Sequence, residues 1–168
     1  MNTPCKMHKI LILPNVAGKP TLVGVYDESL VLRLECSITL PISDGLVPKF
    51  MELQKQGIEF DTLYFVRGPG SFMALKLIYL FAKTLEIAKG IKLYAAHAFH
   101  FNKSTPIKAY GNCYFVREDN VEVENNTYGI AIKNYDTLPK LEPFSLPEVL
   151  DTSLFDTNLK PLYLLPPV

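Results

Sequence analysis

The sequence contains no tryptophan, three cysteines and no block of consecutive lysines and arginines. The cysteines at positions 5, 36 and 113 are odd in number and form no CxxC or CxxH pair, so neither a zinc site nor a disulfide framework is expected. The 17 basic and 17 acidic residues give a net charge of zero. Proteins that hold nucleic acid unaided usually present a basic patch, so any contact with RNA is expected to depend on another subunit.

Long apolar runs are also missing. No stretch approaches the roughly 20 apolar residues that a membrane-spanning helix needs. The pattern of a secretory signal is absent too, because Lys6, His8 and Lys9 precede only a short apolar run that reaches Pro14. With 48% hydrophobic and 20% charged residues, the composition is that of a globular protein. We therefore expect a cytoplasmic protein with reduced cysteines and no membrane contact.

The first part of the chain alternates between short apolar runs and longer helical patterns. Runs too short for helices indicate buried strands, and apolar spacing of three and four residues indicates helices. Ser43 or Asp44 is the expected cap of the first helix, and Gly57 and Gly90 follow the two helices. The predicted elements are strands at 9–14, 21–26, 30–40, 62–66 and 91–95, with helices at 44–56 and about 71–89.

Beyond residue 97 the pattern weakens. One or two strands are expected within 108–123 and another at 128–132, while six prolines after residue 136 exclude long regular elements. The sequence therefore predicts an α/β lobe over residues 1–97. A shortened second lobe with a proline-rich tail is predicted over residues 98–168.

Residues 61–90, DTLYFVRGPGSFMALKLIYLFAKTLEIAKG, resemble the most recognisable stretch of the TsaB (YeaZ) family, where a strand enters Gly-Pro-Gly-Ser-Phe-Thr-Gly and a long helix. Residues 159–164 (LKPLYL) are similar to that family's closing Pro-x-Tyr-Leu-Arg pattern. The resemblance covers residues 8–97 best. It implies an actin-like, ribonuclease H-like mixed sheet with the element order β-β-β-α-β-α-β.

The sequence also departs from the family pattern. Met73-Ala74 replaces the usual Thr-Gly, and Pro14-Asn15 stands where Asp-Thr commonly ends the first strand. Actin-like ATPases hold magnesium-bound phosphates with carboxylates at strand ends, so ATP hydrolysis by this chain is not expected. We predict no catalytic residue, no cofactor and no metal site.

Two local motifs have alternative interpretations. The four residues Gly68, Pro69, Gly70 and Ser71 could cradle a phosphate at the start of a helix, or form a tight turn capped by Ser71. The turn is favoured because proline lacks an N–H and the Walker spacing is absent. His97 and His100 could share a metal ion, but no third ligand is close in sequence, so structural or surface histidines are favoured.

The long helix is apolar around about two-thirds of its circumference. Its sheet-facing side is predicted to contain Ala74, Leu77, Ile78, Phe81, Leu85 and Ala88. The remaining apolar residues must be buried against the first helix of the same chain or in a subunit interface.

The resemblance implies the second of these. TsaB proteins pair with the catalytic subunit TsaD through their first two helices, and TsaE joins the complex. A non-catalytic scaffold for modification of tRNA position 37 is therefore expected, with tRNA contacted only indirectly. The alternatives are an actin-like nucleotide-binding enzyme or a structural homodimer that uses the same helices. The predicted interface residues are Leu46, Phe50, Met51, Leu75, Tyr79 and Lys83.

Overall fold

A computed structural model of the protein describes residues 7–16, 19–118 and 129–162. Its elements are β1 (His8–Leu13), β2 (Thr21–Tyr26), β3 (Leu32–Ile38), α1 (Ile42–Lys55), β4 (Phe60–Gly68), α2 (Phe72–Lys89), β5 (Lys92–His97), β6 (Ile107–Tyr110), β7 (Cys113–Arg117) and β8 (Ile130–Asn134). Single 3₁₀ turns lie at Ala98–His100 and Thr152–Leu154. Through β5 the order is β-β-β-α-β-α-β, as predicted.

The first five strands form one mixed sheet in the order β3-β2-β1-β4-β5. β1, β2 and β3 pair antiparallel through short turns, whereas β4 is parallel to β1 and to β5. Parallel neighbours need a long crossover connection, and α1 and α2 provide the two crossovers.

Both faces of this sheet are buried, which explains the continuous apolar run of β1. Ile10 and Ile12 face one hydrophobic core, and the alternate residues Leu11 and Leu13 face another. All four are fully buried. β3, at the sheet edge, instead alternates between half-buried and exposed side chains along most of its length, as its sequence predicts.

The two helices cover the first face. α1 contributes Ile42, Leu46, Phe50 and Leu53 to this core, and α2 contributes Ala74, Ile78 and Ala82. The first core is therefore a helix layer packed on a sheet.

A smaller antiparallel sheet, β6-β7-β8, and the segment after it cover the second face. The Tyr26 hydroxyl donates a hydrogen bond to the Pro147 carbonyl at 2.7 Å, and the Leu32 N–H donates one to the Glu148 carbonyl at 2.8 Å. These bonds fix the proline-containing segment against β2 and β3. β7 and β8 lie within or near the predicted strands, while residues 121–123 lie outside the described part of the chain. A division into two lobes after residue 97 stays a prediction.

The start of α1 differs from the prediction. The helix begins at Ile42 after Pro41, and neither Ser43 nor Asp44 caps it. The Pro41 carbonyl instead accepts hydrogen bonds from the N–H groups of Asp44 and Gly45, both at 2.9 Å. Proline is tolerated here because this residue lies before the helix, with a ψ of 144°, and contributes its carbonyl rather than an N–H. Asp44 in the first turn complements the helix dipole. Within the described part of the chain, no helix combines the length and hydropathy needed to cross a bilayer.

Candidate functional site

A tight turn at the carboxyl end of β4 sets the start of α2. Gly68 adopts a φ of +125°, and a Cβ at this position would lie 3.0 Å from Leu75 Cδ1. The Gly68–Pro69 peptide is cis, and Ser71 is the N-cap, its Oγ accepting a hydrogen bond from the Ala74 N–H at 3.5 Å. The hydroxyl thus bonds an N–H that an anion would use at this helix start.

The face of α2 that packs on the sheet is rotated from the predicted one. Ala74, Leu75, Ile78 and Ala82 are each at most 3% exposed. Of the other predicted residues, Leu77, Phe81 and Leu85 are partly buried against the same core, whereas Ala88 is exposed. Leu75 turns inward because Gly68, which has no side chain, leaves room for its methyl group. The helical period predicts which residues share a face, but not which face meets the sheet.

The opposite side of α2 carries an apolar stripe, defined as Met73, Leu80 and Ile87. These side chains are 57%, 48% and 82% exposed. A spacing of seven residues is close to two helical turns, so they lie one above another on the same side. The Lys83 ammonium beside the stripe donates a hydrogen bond to Glu86 at 2.6 Å, and this bond raises the pKa of Lys83. The stripe therefore has a charged border.

α1 presents a second exposed apolar pair, Val47 and Met51, which are 54% and 53% exposed. Beneath them, the Phe50 ring packs edge-on against Phe60 and Phe81, with ring centroids 5.7 and 4.8 Å apart. The Phe50–Phe81 contact joins the two helices. Val47 and Met51 line a groove of about 480 Å³, and Phe81 of α2 lines the same groove.

The six predicted partner contacts divide by depth. Met51 is 53% exposed, and Tyr79 and Lys83 are partly exposed. Leu46, Phe50 and Leu75 are at most 9% exposed. These three side chains pack inside the chain, and the role of all six residues as partner contacts stays a prediction.

The outer surface is instead formed by the α2 stripe with Val47 and Met51, which we call the helical surface. Its signal in the sequence was the seven-residue spacing of Met73, Leu80 and Ile87. Its use by a partner stays a prediction.

A cavity of about 270 Å³ lies at the carboxyl end of β5, and we call it the histidine cavity. It is lined by His97, Phe99, His100, Arg117, Ser153, Leu154, Phe155 and Asp156. Two backbone hydrogen bonds of 3.0 Å between Ala95 and Asp156 hold the segment that contains residues 153–156 beside β5. The sequence did not bring these residues together, because the lining comes from three separate segments, residues 97–100, Arg117 and residues 153–156.

The two imidazoles in this cavity are electrostatically perturbed. Burial, followed by the Arg67 guanidinium, lowers the pKa of His97 to about 4, and Asp156 opposes that change. Burial and then Arg117 lower the pKa of His100, with Asp151 opposing. Both rings are therefore neutral at pH 7, and each can donate one hydrogen bond and accept another. Among residues 7–16, 19–118 and 129–162, no three potential ligands lie close enough together to hold a metal ion.

Comparison with known proteins identifies the fold. The chain superimposes on YeaZ from Pseudomonas aeruginosa with a TM-score of 0.52 and 14% sequence identity, over 84% of this chain and 70% of that one. This is a YeaZ-like fold. A second solved structure, an uncharacterized protein with similarity to peptidase YEAZ from Pseudomonas aeruginosa, matches with a TM-score of 0.51 and 14% identity. That match covers 77% of this chain and 64% of the other. The sequence matches no protein-family model and no curated protein.

Proposed function

We propose that this YeaZ-like chain is a non-catalytic scaffold that binds and activates a TsaD-like enzyme during threonylcarbamoyladenosine modification of tRNA at position 37. The observation that carries the proposal is the helical surface. It places large exposed apolar side chains on both helices of a fold shared with YeaZ. Apolar side chains grouped in this way typically mark a protein–protein contact.

The arrangement of the helical surface fits a helix-to-helix contact. Met73, Leu80 and Ile87 recur every seven residues, the spacing at which one helix packs along another. The partner's helices would lie along this stripe and against Val47 and Met51 of α1. The buried ring contact between Phe50 and Phe81 would hold the two helices in a fixed arrangement for the partner.

The mechanism we propose is differential binding. A scaffold that contacts one conformation of the enzyme better than another shifts the enzyme toward that conformation. The chain itself would contribute no reacting group. A TsaE-like ATPase would join the complex through the partner, and tRNA would be contacted only indirectly, in keeping with the net charge of zero.

The test is co-expression with the TsaD homologue of the source organism, followed by co-purification and measurement of the complex mass. Leu80→Asp places a charge at the centre of the stripe. It should weaken the complex at least about 30-fold, because truncating or charging an interface anchor costs about 2 kcal/mol or more.

The matched control is Leu138→Asp. Leu138 is 78% exposed and lies in the segment after β8, which is part of neither helix. This variant should bind the enzyme like the unmodified chain. Equal effects of the two substitutions, or no complex at micromolar concentration with TsaE and ATP present, would refute the proposal. A stable dimer of this chain alone that Leu80→Asp dissociates would favour the homodimer instead.

A further inference from the structure

We propose that the histidine cavity binds a small oxyanion, a phosphate or carboxylate group of a metabolite, and that binding is accompanied by proton uptake on its imidazoles. This site lies at the carboxyl end of β5 and does not depend on the proposed scaffold role. The geometry that supports it is the convergence of three hydrogen-bond donors, His97, His100 and Arg117, on one cavity.

The cavity has the size and lining of a small-ligand site. Its volume of about 270 Å³ exceeds that of a water molecule several-fold. Phe99, Leu154 and Phe155 provide an apolar wall, while the donors lie on the same cavity. A few polar groups set in an apolar lining are typical of sites that bind small molecules.

The donors come from separate elements that the fold holds in place. His97 ends β5, His100 lies on the 3₁₀ turn directly after it, and Arg117 ends β7 of the second sheet. The two imidazole centroids are 6.4 Å apart, a distance at which both rings can contact one tetrahedral or planar oxyanion. The Ser153 hydroxyl, also in the lining, donates its hydrogen bond to Asp151 at 2.6 Å.

The charges around the rings favour an anion. The charges of Arg67 and Arg117 lower the pKa of His97, as does His100 when it is protonated, whereas Asp156 raises it. Arg117 lowers the pKa of His100 by more than Asp151 raises it.

Both opposing carboxylates already accept hydrogen bonds in their own segment. Asp156 bonds the Asn158 N–H at 2.8 Å, and Asp151 bonds the Ser153 N–H at 3.0 Å. An oxyanion placed between the rings would be stabilised by the nearby arginines, Arg67 and Arg117, against the opposing effect of these two carboxylates.

Proton uptake follows from the same charges. Burial is the main cause of the lowered pKa of each imidazole, and the arginines lower it further; an anion between the rings would act against the arginines and raise the pKa. The ligand would then bind more tightly to the protonated site. Affinity should increase as the pH falls from 7 toward 5.

The experiment is an NMR titration of the full chain with inorganic phosphate at constant ionic strength. The chain has three histidines, so the imidazole resonances can be assigned with single His→Gln variants. Saturable shifts are expected at His97 and His100 but not at His8, which lies at the start of β1. Because phosphate itself gains a proton in this range, affinity is compared for the same ionisation state of phosphate, and it should rise at least roughly tenfold between pH 7 and pH 5.

Arg117→Gln tests the charge requirement, because Arg117 is exposed and its replacement leaves both cores intact. It should weaken phosphate binding roughly tenfold, as expected for loss of one charge-assisted hydrogen bond. A parallel titration with succinate shows whether a carboxylate or a phosphate is preferred. Equal shifts at all three histidines, or none across the millimolar range with either probe, would overturn the proposal.

Discussion

The burial of His97 makes a specific prediction about stability and pH. The pKa of this imidazole falls from 6.5 to about 4 on folding, chiefly because burial and Arg67 disfavour its charged form. Between these two values the unfolded chain binds a proton that the folded chain does not. Stability from His97 is therefore fully present above pH 6.5 and is lost as the pH falls toward 4.

The size of the effect follows from the two pKa values. At about 1.4 kcal/mol per pKa unit, protonation of His97 should destabilise the folded state by about 3 kcal/mol in total. About 2 kcal/mol of this should already be lost between pH 7 and pH 5. His100, whose pKa is also lowered by burial, acts in the same direction.

The assay compares the unmodified chain with His97→Gln, which keeps a polar side chain but cannot gain a proton. Urea unfolding at pH 7 and pH 5 should be followed by circular dichroism, since the chain contains no tryptophan. The loss of unfolding free energy between these pH values should be about 2 kcal/mol smaller in the variant, with an unchanged m-value. Equal losses in both proteins, or an NMR titration of His97 centred near its ordinary pKa, would contradict the reasoning.

Three further predictions concern the helices and are checked by urea unfolding at pH 7. Ile78→Ala should cost about 3–4 kcal/mol because Ile78 is fully buried between α2 and the sheet, whereas Leu80→Ala should change stability by no more than about 0.5 kcal/mol. A smaller loss at Ile78 than at Leu80 would mean that α2 is rotated from the orientation described. Ser71→Ala should cost about 1 kcal/mol through loss of the N-cap, and Ser71→Asn should restore most of it. Gly90→Ala should lower the free energy of unfolding by about 1 kcal/mol, because Gly90 ends α2 in the left-handed conformation with a φ of +67°. Gly90→Asn should lower it less, since asparagine tolerates this conformation better. Equal losses in the two variants would show that the left-handed backbone is not the cause.

Much of the fold could be predicted from local patterns. The apolar run of β1 is too short for a helix and has no polar face, and these properties indicate a strand buried on both sides. Gly90 marks the end of α2 because a left-handed residue there is most easily glycine. Element order followed from such signals, since strand and helix periods are properties of neighbouring residues.

The candidate sites depended on contacts between distant residues. Leu75 lies against Gly68 and is buried, whereas the sequence period alone placed Leu75 outside the side that packs on the sheet. Likewise, the histidine cavity exists because Asp156 pairs with Ala95 and brings the last segment beside His97. The sequence by itself determined which segments become strands and helices and which residues each could bury. Only the tertiary structure decided which faces remain exposed, because burial depends on what a distant part of the chain covers.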